Sequence, residues 1–181
     1  DLQWAGVGIY WPERAPLVFS AFEAGHVSPW DKCRRSTRIA VPEGPISSTR
    51  AELIGVLHGL MADGAVHLAV DNQAAVSTLA FTLTGARWAK PFGNLPNGDL
   101  LRQIVKAVEA KSRTAVAVSK VKSHISWQDL EKFHMTPLLK FGNDAADAAA
   151  AAARDMLDDT SGSLEALVDI TEQRRNALAV F

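Results

Sequence analysis

Four short segments place an acidic or imidazole side chain where a helix or strand is predicted to begin or end. They are STRAEL with Glu52, HLAVDNQ with Asp71, KVKSH with His124 and GNDAADAAA with Asp147. Carboxylates are the ligands that hard metal ions prefer, and imidazole transfers protons near neutral pH. These residue types would suit metal-assisted or acid–base chemistry if the fold brings them together.

Each of these side chains also has a structural interpretation, which is the better one when the residue is taken singly. Glu52 follows Thr49 by three residues, the spacing of a helix capping box, and Asp71 can cap the helix after it. His124 alone is more simply a loop or core histidine, and Asp147 a solvated helix residue. Only the four together, in this order, favour a functional interpretation.

Asp144 is an alternative to Asp147 as the functional carboxylate of the last segment. Asp147 lies four residues after Asn143, so these two side chains share one face of a helix. Asp144 is turned away from that face by about 100°. The helical geometry therefore favours Asp147.

The elements that must position these groups follow from the hydrophobic periodicity. Strands are predicted at residues 5–11, 17–22, 38–41, 66–70 and 114–121. Helices are predicted from a Thr49 cap to Gly64 and at residues 72–80, 99–111 and 143–157. The first helix has an apolar face of Leu53, Val56, Leu57, Leu60 and Met61. We expect loops at residues 26–36 and 87–98, and a partly helical connection at 127–140.

Early strands followed by alternating helices and strands predict a mixed α/β domain. Helical crossovers favour parallel pairing of the strands at Val66 and Thr114. The 181 residues suffice for one domain with a real core. We expect that domain at residues 1–157, followed by a linker and a last helix at residues 158–181.

The composition excludes several classes of protein. Apolar residues make up 48% of the chain, yet no run is long enough to cross a membrane. Cys33 is the one cysteine, which excludes an internal disulfide framework and favours a reducing, intracellular compartment. The formal net charge is −1, so any contact with nucleic acid must come from local basic patches.

In order and content, the four segments resemble the type 1 ribonuclease H family, especially the domains at the end of retroelement reverse transcriptases. That family has a Glu within a T-x-R-A-E-L-like run in its first helix and an Asp that ends its fourth strand. It also has a His in a loop after its fifth strand and a last Asp four residues after an Asn. Glu52, Asp71, His124 and Asp147, with Asn143, match these positions, and the resemblance covers roughly residues 5–154.

The resemblance implies a ribonuclease H-like mixed sheet flanked by helices, and hydrolysis of the RNA strand of RNA/DNA hybrids. Glu52, Asp71 and Asp147 would bind two Mg²⁺ ions, or Mn²⁺ in their place, which hold the attacking water and the leaving oxygen in line. His124 would serve proton transfer or product release. The family context further implies covalent linkage to other domains in a longer retroelement polyprotein.

Two departures from the family pattern are evident. The family has a fourth carboxylate that ends a first strand well before the run matching residues 5–8, whereas here only Asp1 precedes that run. We therefore expect the first strand to lie upstream, and this chain alone to be weakly active and poorly stable. Ser123 replaces the Gly that usually precedes the family's His, a mild change unless the backbone there needs a positive φ.

Two basic clusters are candidates for phosphate contact. The first comprises Lys32, Arg34, Arg35 and Arg38, and we interpret it as a solvated surface. The second comprises Arg87, Trp88 and Lys90, where the resemblance implies hybrid-binding elements, with further contacts at Asn72 and Asn143. The remaining histidines lack the spacing of metal ligands and are interpreted as structural: His26, His58, His67 and His134.

Three functions remain open. The first is an active endonuclease that cleaves hybrids, and the second is a non-catalytic remnant that binds or tethers nucleic acid. The third is another nuclease of the same fold, such as a resolvase or integrase. The expected absence of the first carboxylate supports the second, whereas Glu52 in the first helix and the His124 loop argue against the third.

Overall fold

The computed structural model describes residues 5–11, 36–41 and 47–158. Its strands are β1 (Ala5–Tyr10), β2 (Ser36–Val41), β3 (Val66–Val70) and β4 (Val116–Lys120). Its helices are α1 (Ser48–Leu60), α2 (Gln73–Thr84), α3 (Gly98–Lys111) and α4 (Pro137–Asp158). Short 3₁₀ turns lie at Phe92–Asn94, Arg113–Ala115 and Trp127–Asp129. None of the helices within these ranges combines the length and apolar character needed to span a bilayer.

Several predictions fall outside the described residues. These are the strand at residues 17–22, most of the loop at 26–36, the segment after residue 158, and the single residues Asp1, His26, Lys32, Cys33, Arg34 and Arg35. The strand predicted at 38–41 is β2, which begins two residues earlier, at Ser36.

The described strands form two separate two-stranded sheets. Strands β1 and β2 pair antiparallel, with Ala5 opposite Val41. Strands β3 and β4 pair parallel, with Val66 opposite Val116 and Val70 opposite Lys120. The prediction of a mixed α/β fold with parallel pairing of these two strands is confirmed, because α2 and α3 supply the long crossover that such pairing needs.

Helix α1 lies between the two sheets and packs against β1, β3 and α3. Its apolar face buries Leu53, Val56 and Leu60, as predicted. Met61 was predicted on the same face, but it lies at the C-cap and is 40% exposed. The helix ends at Leu60 and not at Gly64 as predicted, so the helical periodicity no longer directs the Met61 side chain toward the core.

Two other helix boundaries differ from the prediction. Helix α2 continues to Thr84, four residues beyond the predicted end, and stops at Gly85, whose φ of 73° is the left-handed conformation of a helix C-cap. Helix α4 begins at Pro137 rather than at residue 143. Proline is well suited to the start of a helix, because its missing N–H would have no partner there.

Helix α4 packs mainly against β1 and β2. A Cβ atom at Gly6 would overlap the carbonyl oxygen of Ala150, and one at Gly8 would overlap that of Ala146. The two glycines thus allow the backbones of strand and helix to touch. This contact fixes the position of the helix face that carries Asn143 and Asp147.

A cavity of about 870 Å³ separates β1 from β3. The two strands, α1 and α4 form its walls, and no strand of the described residues lies between β1 and β3. One further strand in this place would join the two pairs into a single sheet, since neighbouring strands lie about 4.7–4.9 Å apart. The gap is consistent with the prediction that a first strand is missing.

Candidate active site

The cavity between β1 and β3 brings three predicted site residues together. Glu52, Asp71 and Asp147 all line it. Glu52 comes from the first half of α1, Asp71 directly follows β3, and Asp147 lies on α4. Three elements that are distant in sequence therefore each contribute one carboxylate to the same place.

Neither Glu52 nor Asp71 is a helix cap. The cap of α1 is Ser47, whose hydroxyl accepts a hydrogen bond from the backbone N–H of Arg50 at 3.2 Å. The predicted Thr49 cap and its capping box are therefore wrong, because Thr49 lies inside the helix and the third residue after Ser47 is Arg50.

The cap of α2 is Asn72. Its Oδ1 accepts a hydrogen bond from the backbone N–H of Ala75 at 3.0 Å. The structural interpretation of Asp71 as a cap is therefore wrong as well. Asn72, predicted to contact nucleic acid, has its carbonyl oxygen engaged, so only its amide N–H groups are left to donate to a phosphate.

Burial and mutual repulsion act on these carboxylates. Burial, followed by the charges of Asp71 and Asp147, raises the pKa of Glu52 to about 7, although Lys120 acts in the opposite direction. Burial and the charge of Asp71 also raise the pKa of Asp147, whereas His124 acts to lower it. A cation bound at this place would offset the repulsion between the carboxylates and lower the pKa of both Glu52 and Asp147.

Asn143 and His124 both approach Asp147. The side-chain amide of Asn143 donates a hydrogen bond to Oδ2 of Asp147 at 3.1 Å. His124 Nδ1 lies 4.0 Å from the same oxygen, on a side chain that is 84% exposed.

The residue with positive φ in the His124 loop is His124 itself, at 55°, and not Ser123. The serine at position 123 is therefore compatible with the loop, as expected for a mild change.

Asp144 is held away from the cavity by Lys140. The ammonium group of Lys140 lies 2.7 Å from Oδ1 and 2.6 Å from Oδ2 of Asp144. Asp147 lines the cavity, whereas Asp144 does not. This placement agrees with the helical-face argument that favoured Asp147.

Lys120 is a site residue that the sequence did not reveal. As the last residue of β4 it lies opposite Val70, so its ammonium group donates to the carbonyl oxygens of Asp71 and Val121. Its charge also lowers the pKa of Glu52. Only the register between two strands distant in sequence brings Lys120 to Asp71, and no local motif marks it.

The donor set suits Mg²⁺ in its chemistry, since all three carboxylates offer hard oxygen ligands. Within the described residues, however, no group of three or more His, Cys, Asp or Glu side chains is arranged to hold one metal ion. An ion held by only one or two of these side chains would complete its shell with water or substrate oxygens. Mg²⁺ commonly keeps several waters, so such a site is chemically reasonable.

The second basic cluster has a structural anchor. Trp88 is half-buried against the core, with its ring centroid 4.7 Å from that of Phe81 and 6.1 Å from that of Phe92. Arg87 and Lys90 are exposed beside it, at a second cavity of about 880 Å³. Trp88 therefore holds the loop in place, while the two cations face solvent.

Two of the remaining histidines make hydrogen bonds away from the carboxylates. His58 is buried, with Nδ1 3.1 Å from the carbonyl oxygen of Ile54. His67 Nε2 lies 2.9 Å from Oγ of Ser119 on the paired strand. Both agree with the structural interpretation of these residues.

Among solved structures, the chain is similar to the solution structure of the PFV RNase H domain. The TM-score is 0.49 and the sequence identity 18%, over 66% of this chain and 72% of that chain. No family model matches the chain, and no curated protein matches it. Function is therefore inferred from the residues of the site itself.

Removing the charge of Glu52 should stabilise the metal-free fold at alkaline pH. The pKa of Glu52 is raised from 4.5 to about 7 by folding, so the folded state holds the proton more tightly. The stability from this group is full below about pH 4.5 and is lost as the pH rises through about 7. We expect Glu52→Gln to raise the free energy of unfolding by on the order of 1–3 kcal/mol at about pH 8, and much less at about pH 4.

Urea melts in EDTA at the two pH values measure this difference. Glu131→Gln is the matched control, because Glu131 is exposed and lies outside the cavity. Equal effects of the two substitutions at both pH values would contradict the electrostatic account of the site.

Proposed function

We propose that this chain forms the core of an endonuclease that hydrolyses the RNA strand of RNA/DNA hybrids with the help of two divalent cations. The observation that carries the proposal is the placement of three carboxylates from three elements around one cavity. Groups whose pKa is shifted by burial and by like charges cluster at functional sites in proteins. Glu52 and Asp71 do not cap helices, since Ser47 and Asn72 do, so the main structural alternative for these two carboxylates no longer applies.

Glu52, Asp71 and Asp147 are the residues that would hold two Mg²⁺ ions, or Mn²⁺ in their place. When bound, such ions activate the attacking water and stabilise the leaving oxygen of a phosphodiester. Asn143 orients the carboxylate of Asp147 through its hydrogen bond. His124 is exposed beside the same carboxylate, where it can move a proton between the site and solvent.

The next prediction is that the protein distinguishes RNA from DNA by the sugar of the cleaved strand. The 2′-OH is what separates RNA from DNA at a contact. With Mg²⁺, we expect cleavage of the RNA strand in a labelled RNA/DNA hybrid and no detectable cleavage of duplex DNA of the same sequence. The assay is run with this chain and with a version extended upstream by about 15 residues, a length that spans one strand and its turn.

Omission of the metal and addition of EDTA are the controls. Equal cleavage of duplex DNA would contradict the hybrid specificity and would favour a resolvase-like or integrase-like nuclease instead.

A non-catalytic nucleic-acid-binding or tethering module is the second candidate. The specific observation in its favour is that no three ligand side chains of the described residues are arranged around one metal ion. Hybrid binding by both the short and the extended versions, without cleavage by either, would support this candidate. We also propose that the chain belongs to a longer retroelement polyprotein, which a reverse transcriptase reading frame upstream would support.

A further inference from the structure

Two exposed aromatic side chains, each with lysine ammonium groups over its ring, lie in the segment around the His124 loop. Trp127 is 55% exposed and Phe133 is 37% exposed. The ammonium groups of Lys122 and Lys132 lie 5.9 Å and 5.2 Å from the ring centroid of Phe133. That of Lys140 lies 5.4 Å from the ring centroid of Trp127. We name these five residues the aromatic–lysine patch.

The core beneath the patch does not need the two rings. Val121, Ile125 and Met135 form a small buried cluster of their own, against which Leu130 and Leu139 pack. Trp127 and Phe133 belong to the same segment but stay outside this cluster. The two rings therefore face solvent, where they can contact another molecule.

The backbone of the segment holds both rings in place. Trp127 opens a 3₁₀ turn in which Ser126 Oγ donates to Asp129 Oδ2 at 2.7 Å. Phe133 precedes His134, whose φ of 52° reverses the chain, and a bond from the N–H of Met135 to the carbonyl oxygen of Leu130 closes that turn. The rings are thus presented on ordered turns.

The chemistry of the patch suits a nucleic-acid strand. Bases stack on exposed aromatic faces, and ammonium groups beside them contact phosphates. Lys122 and Lys132 are exposed, and no carboxylate among the described residues forms an ion pair with either. Lys140 differs, because it is buried and paired with Asp144. Its role is to pack against the ring of Trp127 rather than to contact a phosphate. An apolar partner would instead desolvate two ammonium groups without compensation.

We propose that the aromatic–lysine patch binds single-stranded RNA that continues from the hybrid beyond the carboxylate site. This inference rests on the proposed function, since the patch residues Lys122 and Trp127 flank His124 in the sequence. Stacking requires bases that are free of a duplex, so the patch selects an overhang and not the paired region. The substrate class is an RNA/DNA hybrid with a single-stranded extension, taken to be RNA because RNA is the strand that the proposed function cleaves.

The test compares binding of a blunt hybrid with hybrids that carry an RNA overhang of about six nucleotides at either end. Affinity is measured by fluorescence anisotropy in EDTA, so that no strand is cut. We expect tighter binding of one overhang hybrid, and a loss of roughly 5- to 150-fold of that affinity in Trp127→Ala. Trp127→Phe should retain most of the affinity, because it keeps an aromatic face.

Matched variants distinguish the loss of base stacking from the loss of apolar surface and from the loss of a charge. Met61→Ala removes another partly exposed apolar side chain, at the end of α1, and should leave the affinity unchanged. Lys132→Gln should weaken binding and lower the dependence of log affinity on log salt by about one. Thermal melts show whether each variant is folded.

The inference is overturned if an overhang adds no affinity, or if Trp127→Ala weakens blunt and overhang hybrids equally. Absence of binding to both the blunt and the overhang hybrids also overturns the inference, and it would favour a protein as the partner of the patch. Cleavage with Mg²⁺ is scored separately. Hybrid cleavage with no effect of Trp127→Ala on overhang binding refutes the patch alone, whereas Trp127-dependent binding without cleavage refutes the proposed catalysis alone.

Discussion

Asp147→Asn is expected to reduce cleavage of an RNA/DNA hybrid by on the order of 10³-fold, whereas Asp144→Asn reduces it by less than about tenfold. The two residues lie three positions apart on α4 and undergo the same isosteric change. Asp147 lines the cavity and interacts electrostatically with Glu52. Asp144 is paired with Lys140 instead and does not line the cavity.

Single-turnover rates with Mg²⁺ measure this difference. Asp144→Asn leaves Lys140, whose side chain is only 9% exposed, without its carboxylate, so its melting temperature should fall. Rates are therefore compared below the melting temperature of every variant. Asp155→Asn, an exposed position on the same helix, serves as the control with no expected loss. Equal losses in the variants at 144 and 147 would show that α4 does not present Asp147 specifically to the site.

Gly8→Ala is expected to lower the free energy of unfolding by roughly 1–3 kcal/mol, the range typical of overpacking a core. A Cβ atom there would overlap the carbonyl oxygen of Ala146, which belongs to the helix backbone and cannot rotate away as a side chain can. The strand and α4 would have to separate. Because α4 also carries Asp147, a shift of about 1 Å would further reduce cleavage by on the order of 10²-fold.

Gly93→Ala is the matched control for this substitution. No atom lies within 4 Å of a Cβ built at Gly93, so its effect should stay within about 0.5 kcal/mol. Urea melts followed by circular dichroism measure both variants. A Gly8→Ala protein as stable as the unsubstituted chain would show that β1 and α4 do not make the close backbone contact described.

The sequence by itself determined the features that depend on periodicity within one element. The short apolar run at Val66–Val70 and the helical spacing over α3 both predicted the elements found. Parallel pairing of β3 and β4 followed because two helices separate them. The carboxylates were singled out differently, by the order of their four motifs along the chain and the resemblance of that order to a known family.

Local alternatives of nearly equal energy were decided by the tertiary structure. Ser47, Ser48 and Thr49 are three consecutive residues that can each cap a helix, so the sequence alone could not choose among them. Packing of α1 against β1 and β3 sets where the helix begins, and Ser47 is the residue left in the extended conformation of a cap. This choice removed the capping interpretation of Glu52.

Only the tertiary structure decided the contacts between elements distant in sequence. Lys120 reaches Asp71 through the register of two strands, and Gly8 meets Ala146 through the packing of a strand on a helix. The cavity between β1 and β3 likewise depends on how α1 and α4 hold the two sheets apart. A local pattern records which face of an element is apolar, but not which distant backbone that face will touch, because many pairings bury similar apolar area.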